Sequence, residues 1–210
     1  MVVKVCGLRY PNNLAEVVEA KPDMVGFIFY LQSPRYVEVA AAKALSQTSV
    51  GNAQRVGVFV DSDLHHIEQT VVHFGLNAVQ LHGSETPQLC EQLKQKGLTV
   101  IKTFRVGEEY SFTEVELYVG SCNLFLFDAA GSRAGGNGIP FRWNLLDSYS
   151  ASVPFLLSGG IGEEHLLSIK ALKHPMLLGV DINSRFEVMP GVKDGARVKK
   201  FIEMIKSDLC

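Results

Sequence analysis

Short apolar runs rich in Val, Ile, Phe and Leu recur along the chain, at 2–6, 24–30, 55–60, 78–82, 99–104, 123–128, 154–158 and 177–182. Each has strand length and is apolar almost throughout rather than at alternate positions. That pattern points to strands covered on both faces, as in a parallel sheet. Successive starts lie roughly 20 to 30 residues apart, the size of one strand and one crossover helix. The intervening segments follow a helical period. Residues 12–20 put Leu14, Val17 and Val18 on one stripe. Residues 63–74 put Leu64, Ile67, Val71 and Phe74 on one face, behind an N-cap supplied by Asp61 or Asp63. Thr86-Pro87 reads as a cap and an N1 proline opening a helix over 86–96. Further helices are expected over 37–45, 162–172 and 194–206, the last with Val198, Phe201, Ile202 and Ile205 at helical spacing. Residues 111–118 are ambiguous, 141–148 read as a short helix, and the glycine-rich stretch 129–140 is the longest loop.

Eight strand–helix units fit a closed (β/α)8 barrel or an open doubly wound sheet. Eight is the number at which the barrel closes. The open sheet more often carries a G-x-G-x-x-G turn after its first strand, and here Cys6-Gly7-Leu8-Arg9 follows instead. The expected fold class is therefore α/β, a (β/α)8 TIM barrel. No linker, low-complexity tract or charge block divides the chain, so residues 1–210 are expected to form one domain.

Composition narrows the class of partner. Twenty Lys and Arg against 22 Asp and Glu give a formal charge of −2, which offers no reason to expect a nucleic-acid or membrane-surface partner. No apolar run reaches the ~18 residues of a spanning helix, and the N-terminus lacks the pattern of a signal peptide. Cys6, Cys90, Cys122 and Cys210 show no C-x-x-C spacing, which reads as a reduced, cytoplasmic chain with neither disulfides nor a metal site. Oligomeric state is left open, because barrel helices and interfaces look alike in one sequence.

In a barrel of this kind the chemistry sits at the C-terminal ends of the strands. Those positions hold Cys6, Asp61, His82, Arg105, Asp128, Ser158-Gly159-Gly160 and Asp181-Ile182-Asn183-Ser184, with Arg35 just beyond the second strand. Each has a bland reading. Cys6 alone reads more readily as core, Asp61 as a helix cap, and His82 equally as a structural histidine. Asp128 stands out because it closes Leu124-Phe125-Leu126-Phe127 and opens the glycine-rich loop. Glycine segments at three consecutive strand ends, including Gly135-Gly136-Asn137-Gly138, favour an anion cradle built from backbone N–H groups.

Taken together these segments resemble the phosphoribosylanthranilate isomerase family of tryptophan biosynthesis. The likeness runs in order through Lys4-Val5-Cys6-Gly7-Leu8, Ser33-Pro34-Arg35-Tyr36-Val37, Gln80-Leu81-His82-Gly83, Phe127-Asp128-Ala129, Leu157-Ser158-Gly159-Gly160, Asp181-Ile182-Asn183-Ser184 and Pro190-Gly191-Val192-Lys193-Asp194. The resemblance implies a cofactor-free, metal-free barrel that acts on a phosphosugar. It would carry out the Amadori rearrangement of N-(5′-phosphoribosyl)anthranilate to 1-(2-carboxyphenylamino)-1-deoxyribulose 5-phosphate. It also implies Cys6 as general base, Asp128 as general acid and Arg35 as the partner of the anthranilate carboxylate. Gly136, Gly138, Gly159, Gly160, Asn183 and Ser184 would bind phosphate, and Lys4, His82 and Asp181 would complete the substrate site. Arg185 stands where the family often has glycine, and Asn137 where it often has threonine.

Such a reaction moves protons and no electrons. The acid must start each cycle with a proton, and the apolar run before Asp128 suggests a partly dry setting for it. The base must lose one, and Lys4 or Arg35 could draw the Cys6 thiol toward thiolate. Two alternatives stay open at this point: another phosphosugar-metabolising TIM-barrel enzyme, and a barrel that binds a phosphosugar without turning it over.

Overall fold

The computed structural model describes residues 1–129 and 143–207, and at Val39 and Ala40 the backbone alone. Eight parallel strands close into a barrel in sequence order: β1 (Val2–Val5), β2 (Met24–Ile28), β3 (Gln54–Phe59), β4 (Ala78–Leu81), β5 (Thr99–Val106), β6 (Leu124–Ala129), β7 (Phe155–Ser158) and β8 (Leu177–Ile182). Closure comes from β1 pairing with β8, with Lys4 opposite Asp181. A two-stranded antiparallel ribbon, β9 (Glu187–Met189) and β10 (Val192–Lys193), follows the last barrel strand.

The outer layer is built by α1 (Pro11–Val18), α2 (Val39–Gln47), α3 (Leu64–Phe74), α4 (Pro87–Gln95), α5 (Leu166–Ala171) and α6 (Gly195–Lys206). Prolines at N1 open α1 and α4. Asp63, rather than Asp61, caps α3, its carboxylate accepting the His66 N–H at 2.8 Å. Asp194 does the same for α6 through the Arg197 N–H at 3.0 Å. The crossovers on either side of β6 are 3-10 helices, Phe112–Tyr118 and Trp143–Ser148. The tighter helix rises about 2.0 Å per residue, so a short segment still runs the length of a strand. The helix expected over 162–172 divides into a 3-10 turn, Glu163–His165, and α5. The His165 ring accepts the Gly162 N–H at 3.0 Å and secures that turn.

Side chains alternate across each strand, and this sorts the apolar residues into two shells. Val3, Val5, Phe27, Phe59, Leu81, Phe125 and Phe127 point outward into the layer between sheet and helices. Met24, Val56, Ala78, Ile101, Leu124, Leu126 and Leu156 fill the barrel interior. The N-terminal rim is stitched by a recurring bond. Asp23, Asn77 and Asn123, each just ahead of a strand, accept the N–H of Val3, Arg55 and Val100 on the preceding strand, at 2.8, 3.1 and 2.9 Å.

Phe127 is fully buried and meets the rings of Phe112, Tyr149 and Phe155 at centroid distances of 5.0, 5.2 and 4.9 Å. Replacing Phe127 with Ala is expected to lower stability by about 3–5 kcal/mol, read from urea unfolding against the unaltered chain. A loss under about 1 kcal/mol would mean that the outer shell does not carry the fold.

Candidate active site

The barrel interior is apolar at its floor and polar at its C-terminal mouth. There a cavity of about 260 Å³ opens, lined by Cys6, His82, Asp128 and Asp181 from four different strands or their ends. Alternation explains the convergence: Lys4 and Cys6, Gln80 and His82, and Asp181 and Asn183 are spaced two apart and share the inward face. Arg35, Gly159, Gly160, Asn183 and Ser184 line the same cavity. Of the residues singled out in the sequence, Lys4 lies one layer deeper, and Gly136, Asn137 and Gly138 fall outside the described residues. Asp61 is not part of the lining. It sits at φ +49° and accepts the Ser84 N–H at 2.6 Å, tying the loop after β3 to the loop after β4.

The deepest polar group is the Lys4 ammonium, fully buried and 3.0 Å from Asp181 Oδ1. Burial works against its charge, but Asp181 and the Cys6 sulfur outweigh it and raise the Lys4 pKa. Cys6 is 4% exposed. Burial pushes its thiol above the ordinary range, and the pull of Lys4 toward thiolate only partly offsets this. The expectation that a neighbouring cation would depress Cys6 is therefore met in sign by Lys4 and, more weakly, by Lys193, and not by Arg35; the net shift is upward, because the sulfur is so thoroughly removed from water. Asp181 is likewise raised, by burial first, with Lys4 opposing. Gly26 on β2 makes room for the sulfur, since a Cβ there would stand 2.8 Å from Cys6 Sγ.

Three strands away around the ring, Asp128 Oδ2 lies 3.4 Å from His82 Nε2. Gln80 Nε2 stands 3.1 Å from His82 Nδ1 and 3.2 Å from Thr103 Oγ1. With the amide donating, Nδ1 accepts, and the ring proton sits on Nε2 toward the carboxyl. The Asp128 side chain is 24% exposed and lines the cavity. The four apolar residues before it dry the strand but leave the carboxyl itself in reach of water. The loop carrying His82 is anchored from behind. Glu85 accepts the Gly83 N–H at 2.9 Å and pairs with buried Lys102 on β5 at 3.0 Å.

Arg35 is not a loose cation at the rim. Its Nε and Nη2 hold Glu187 at 2.8 and 2.6 Å. The same carboxylate takes the Lys193 ammonium at 2.6 Å. Burial works against ionised Glu187, but Arg35 and Lys193 outweigh it and hold its pKa below the usual carboxylate range. The sequence reading assigned no role to Gln80, Glu187 or Lys193. Two signals were available: Gln80 lies two residues before His82 on one strand, and Lys193 lies in the Pro-Gly-x-Lys-Asp segment.

At the other end of the cavity Gly159 and Gly160 adopt φ +92° and +68°. A Cβ on Gly159 would strike Ala129 at 2.4 Å, so the chain can pass this close to β6 only as glycine. Asn183 leads into a 3-10 turn, Ser184–Phe186, whose Arg185 also lines the cavity. Among the described residues no group of three His, Cys, Asp or Glu side chains could hold a metal ion.

Comparison with known proteins agrees with this arrangement. The family described as N-(5′phosphoribosyl)anthranilate (PRA) isomerase matches residues 3–204. An N-(5′-phosphoribosyl)anthranilate isomerase of Phocaeicola vulgatus is 42% identical, covering 100% of both chains. One from Parabacteroides distasonis is 38% identical over 98% of this chain and 93% of its own. The crystal structure of the Thermotoga maritima phosphoribosyl anthranilate isomerase superposes with a TM-score of 0.86 at 33% identity, covering 98% of this chain and 99% of that one. Another solved phosphoribosyl anthranilate isomerase, in complex with reduced 1-(o-carboxyphenylamino)-1-deoxyribulose 5-phosphate, gives 0.81 at 32% identity, with 98% and 99% covered.

Cys6 is expected to titrate above the ~8.5 of a free thiol. The measurement is the ultraviolet thiolate absorbance lost on Cys6→Ala substitution, followed against pH. A midpoint below that value would show a thiolate at rest and overturn the electrostatics described here.

Proposed function

The chain belongs to the N-(5′-phosphoribosyl)anthranilate isomerase family, and on that premise we propose that Cys6 is the general base and Asp128 the general acid of its reaction. The reaction is the isomerisation of N-(5′-phosphoribosyl)anthranilate to 1-(2-carboxyphenylamino)-1-deoxyribulose 5-phosphate in tryptophan biosynthesis. The observation that carries the assignment is that a sulfur and a carboxyl from β1 and β6 face one cavity, each backed by its own partner, Lys4 or His82.

The chemistry follows from those positions. Asp128 gives its proton to the furanose ring oxygen and the C1′–O bond breaks. The anthranilate nitrogen lone pair forms the C1′ iminium as the bond opens. Cys6 then takes the C2′ proton, and that bonding pair becomes the C1′–C2′ double bond of an enolamine, which tautomerises to the ketone. Lys4 gives the sulfur a counter-charge once it ionises. His82 stands beside the Asp128 carboxyl, its Nε2 3.4 Å from Oδ2, and shapes where the acid points. At the two ends, Arg35 meets the anthranilate carboxylate, and Gly159, Gly160, Asn183 and Ser184 cradle the phosphate. Arg185 adds positive charge at the phosphate end.

The family match sets aside the other phosphosugar enzymes considered from the sequence. Presence of both Cys6 and Asp128 favours turnover over mere binding. We take the barrel to be the single catalytic domain of residues 1–210, acting on the small phosphosugar without nucleic acid, cofactor or metal ion. Among the described residues no helix is long and apolar enough to cross a membrane. A cytoplasmic setting is in keeping with the free thiols of Cys6, Cys90 and Cys122.

Cys6→Ala and Asp128→Asn are each expected to lower kcat by at least about two orders of magnitude while the chain stays folded. The assay is the change in anthranilate fluorescence as freshly made substrate is consumed. Turnover near the unaltered rate in either variant removes that residue from its role, and binding without turnover in the unaltered chain selects the non-catalytic barrel. Because Cys6 must be deprotonated and its thiol is raised, kcat/KM is expected to climb with pH through the neutral range, and this limb should vanish in Cys6→Ala. Arg35→Met is expected mainly to raise KM, since its carboxylate contact persists through the cycle. A fall in kcat at constant KM would contradict that placement.

A further inference from the structure

The Pro190-Gly191-Val192-Lys193-Asp194 segment plants a buried ammonium behind Asn183, a residue of the cavity lining, where the chemistry above gives it no task. The Lys193 side chain has no exposure, and its Nζ lies 2.6 Å from Glu187 Oε1 and 2.6 Å from Asn183 Oδ1. Its backbone is pinned on both sides by Asn13 of α1, with N to Oδ1 at 2.7 Å and O to Nδ2 at 2.8 Å. Glu187 is gripped on three sides, by Arg35, by Lys193 and by the Gly191 N–H at 3.0 Å.

Two features of this cluster exceed what packing requires. First, it holds two cations around one anion, a surplus of one positive charge next to the reacting groups. Buried charge is costly, and a well-packed apolar side chain commonly stabilises a fold as well or better. The surplus charge is what an apolar replacement could not supply. Second, the carboxylate takes one edge of the Arg35 guanidinium, through Nε and Nη2, so the Nη1 corner is the part left for a ligand. The groups whose charge acts on Cys6 are Lys4 on its own strand, Asp181 on β8 and Lys193 on β10. Arg35 passes close to the next residue, its Cδ 2.8 Å from where a Cβ on Gly7 would lie.

We propose that Glu187 and Lys193 are positioning residues of the isomerase: Glu187 orients Arg35 toward the substrate's carboxylate, and Lys193 ties that clamp to Asn183 at the phosphate end. This rests on the roles given above to Arg35 and Cys6. The cluster joins the site's two anion-binding ends through one buried carboxylate and one buried ammonium. Lys193 favours the Cys6 thiolate, as Lys4 does, while Asp181 opposes it.

The test compares Lys193→Met, Lys193→Arg and Glu187→Gln with the unaltered enzyme. The measurements are the pH profile of kcat/KM, kcat and KM separately, the Cys6 thiolate absorbance and the thermal midpoint. Lys193→Met is expected to move the Cys6 limb and the absorbance titration together to higher pH, by less than loss of the Lys4 charge would. Lys193→Arg, which keeps the charge, is expected to restore the limb. Glu187→Gln is expected to raise KM about tenfold with a smaller change in kcat, because it frees Arg35 without removing it. An unmoved Cys6 titration in Lys193→Met, or activity losses in all three variants that only track the thermal midpoint, would reduce the cluster to a structural strut and overturn the proposal. The absorbance titration needs no turnover, so it reads Lys193→Met even if that variant is inactive. If the pH limb of the unaltered enzyme persists in Cys6→Ala, the failure lies in the role given to Cys6 and not in the cluster.

Discussion

Closing eight parallel strands into a ring leaves each strand with one inward position out of every two, and only the last inward position on each can meet both the interior and a ligand. Everything the site contains obeys this constraint. Met24, Val56, Ala78 and Ile101 take inward positions at the floor and exclude water. One layer up come Lys4, Gln80 and Asp181, polar but buried. At the mouth come Cys6, His82 and Asp128. A slip of one residue in β1, β4 or β6 would exchange its mouth residue for the apolar neighbour, Val5, Leu81 or Phe127, now packed against the helices. The outer shell therefore fixes the chemistry by fixing the register.

The layer of buried charge beneath the mouth sets the electrical conditions. Lys4 is shared between Asp181 and the Cys6 sulfur, so its field acts on the base from below. Lys193, paired with Glu187, adds a weaker pull on the sulfur, and His82 stands beside Asp128. The two groups that face the cavity sit in different surroundings: the Cys6 sulfur is almost wholly buried where it meets the cavity, while the Asp128 carboxyl is more open to it.

Much of this was legible in the chain. Near-continuous apolar runs marked all eight strands, with ends off by only a residue or two, because parallel strands buried on both faces must be apolar at every position. Cys6, Asp128, Arg35 and His82 stood out as residues at or just beyond strand ends, their roles came from the family resemblance, and the structure lines one cavity with all four. What was missed depends on contacts far apart in sequence. Nothing local to Arg35 announces Glu187, 152 positions later. Asp61 passed for a helix cap because its neighbour Asp63 has the same side chain, and only the approach of Ser84 tells them apart. The 3-10 crossovers around β6 were ambiguous because six or seven residues hold too few periods to declare a pitch. The sign of the Cys6 shift was out of reach for a related reason: the nearby cation is visible two residues away, but the depth of burial is not.

That depth has a consequence for the life of the enzyme. Peroxide and electrophilic metabolites attack thiolates, and they need access to do so. The Cys6 sulfur opens on the same cavity that a ligand would enter, so access is not denied to them, but a thiol held above the ordinary range by burial offers little thiolate to attack. The low resting reactivity of this sulfur thus comes from its proton rather than from a barrier.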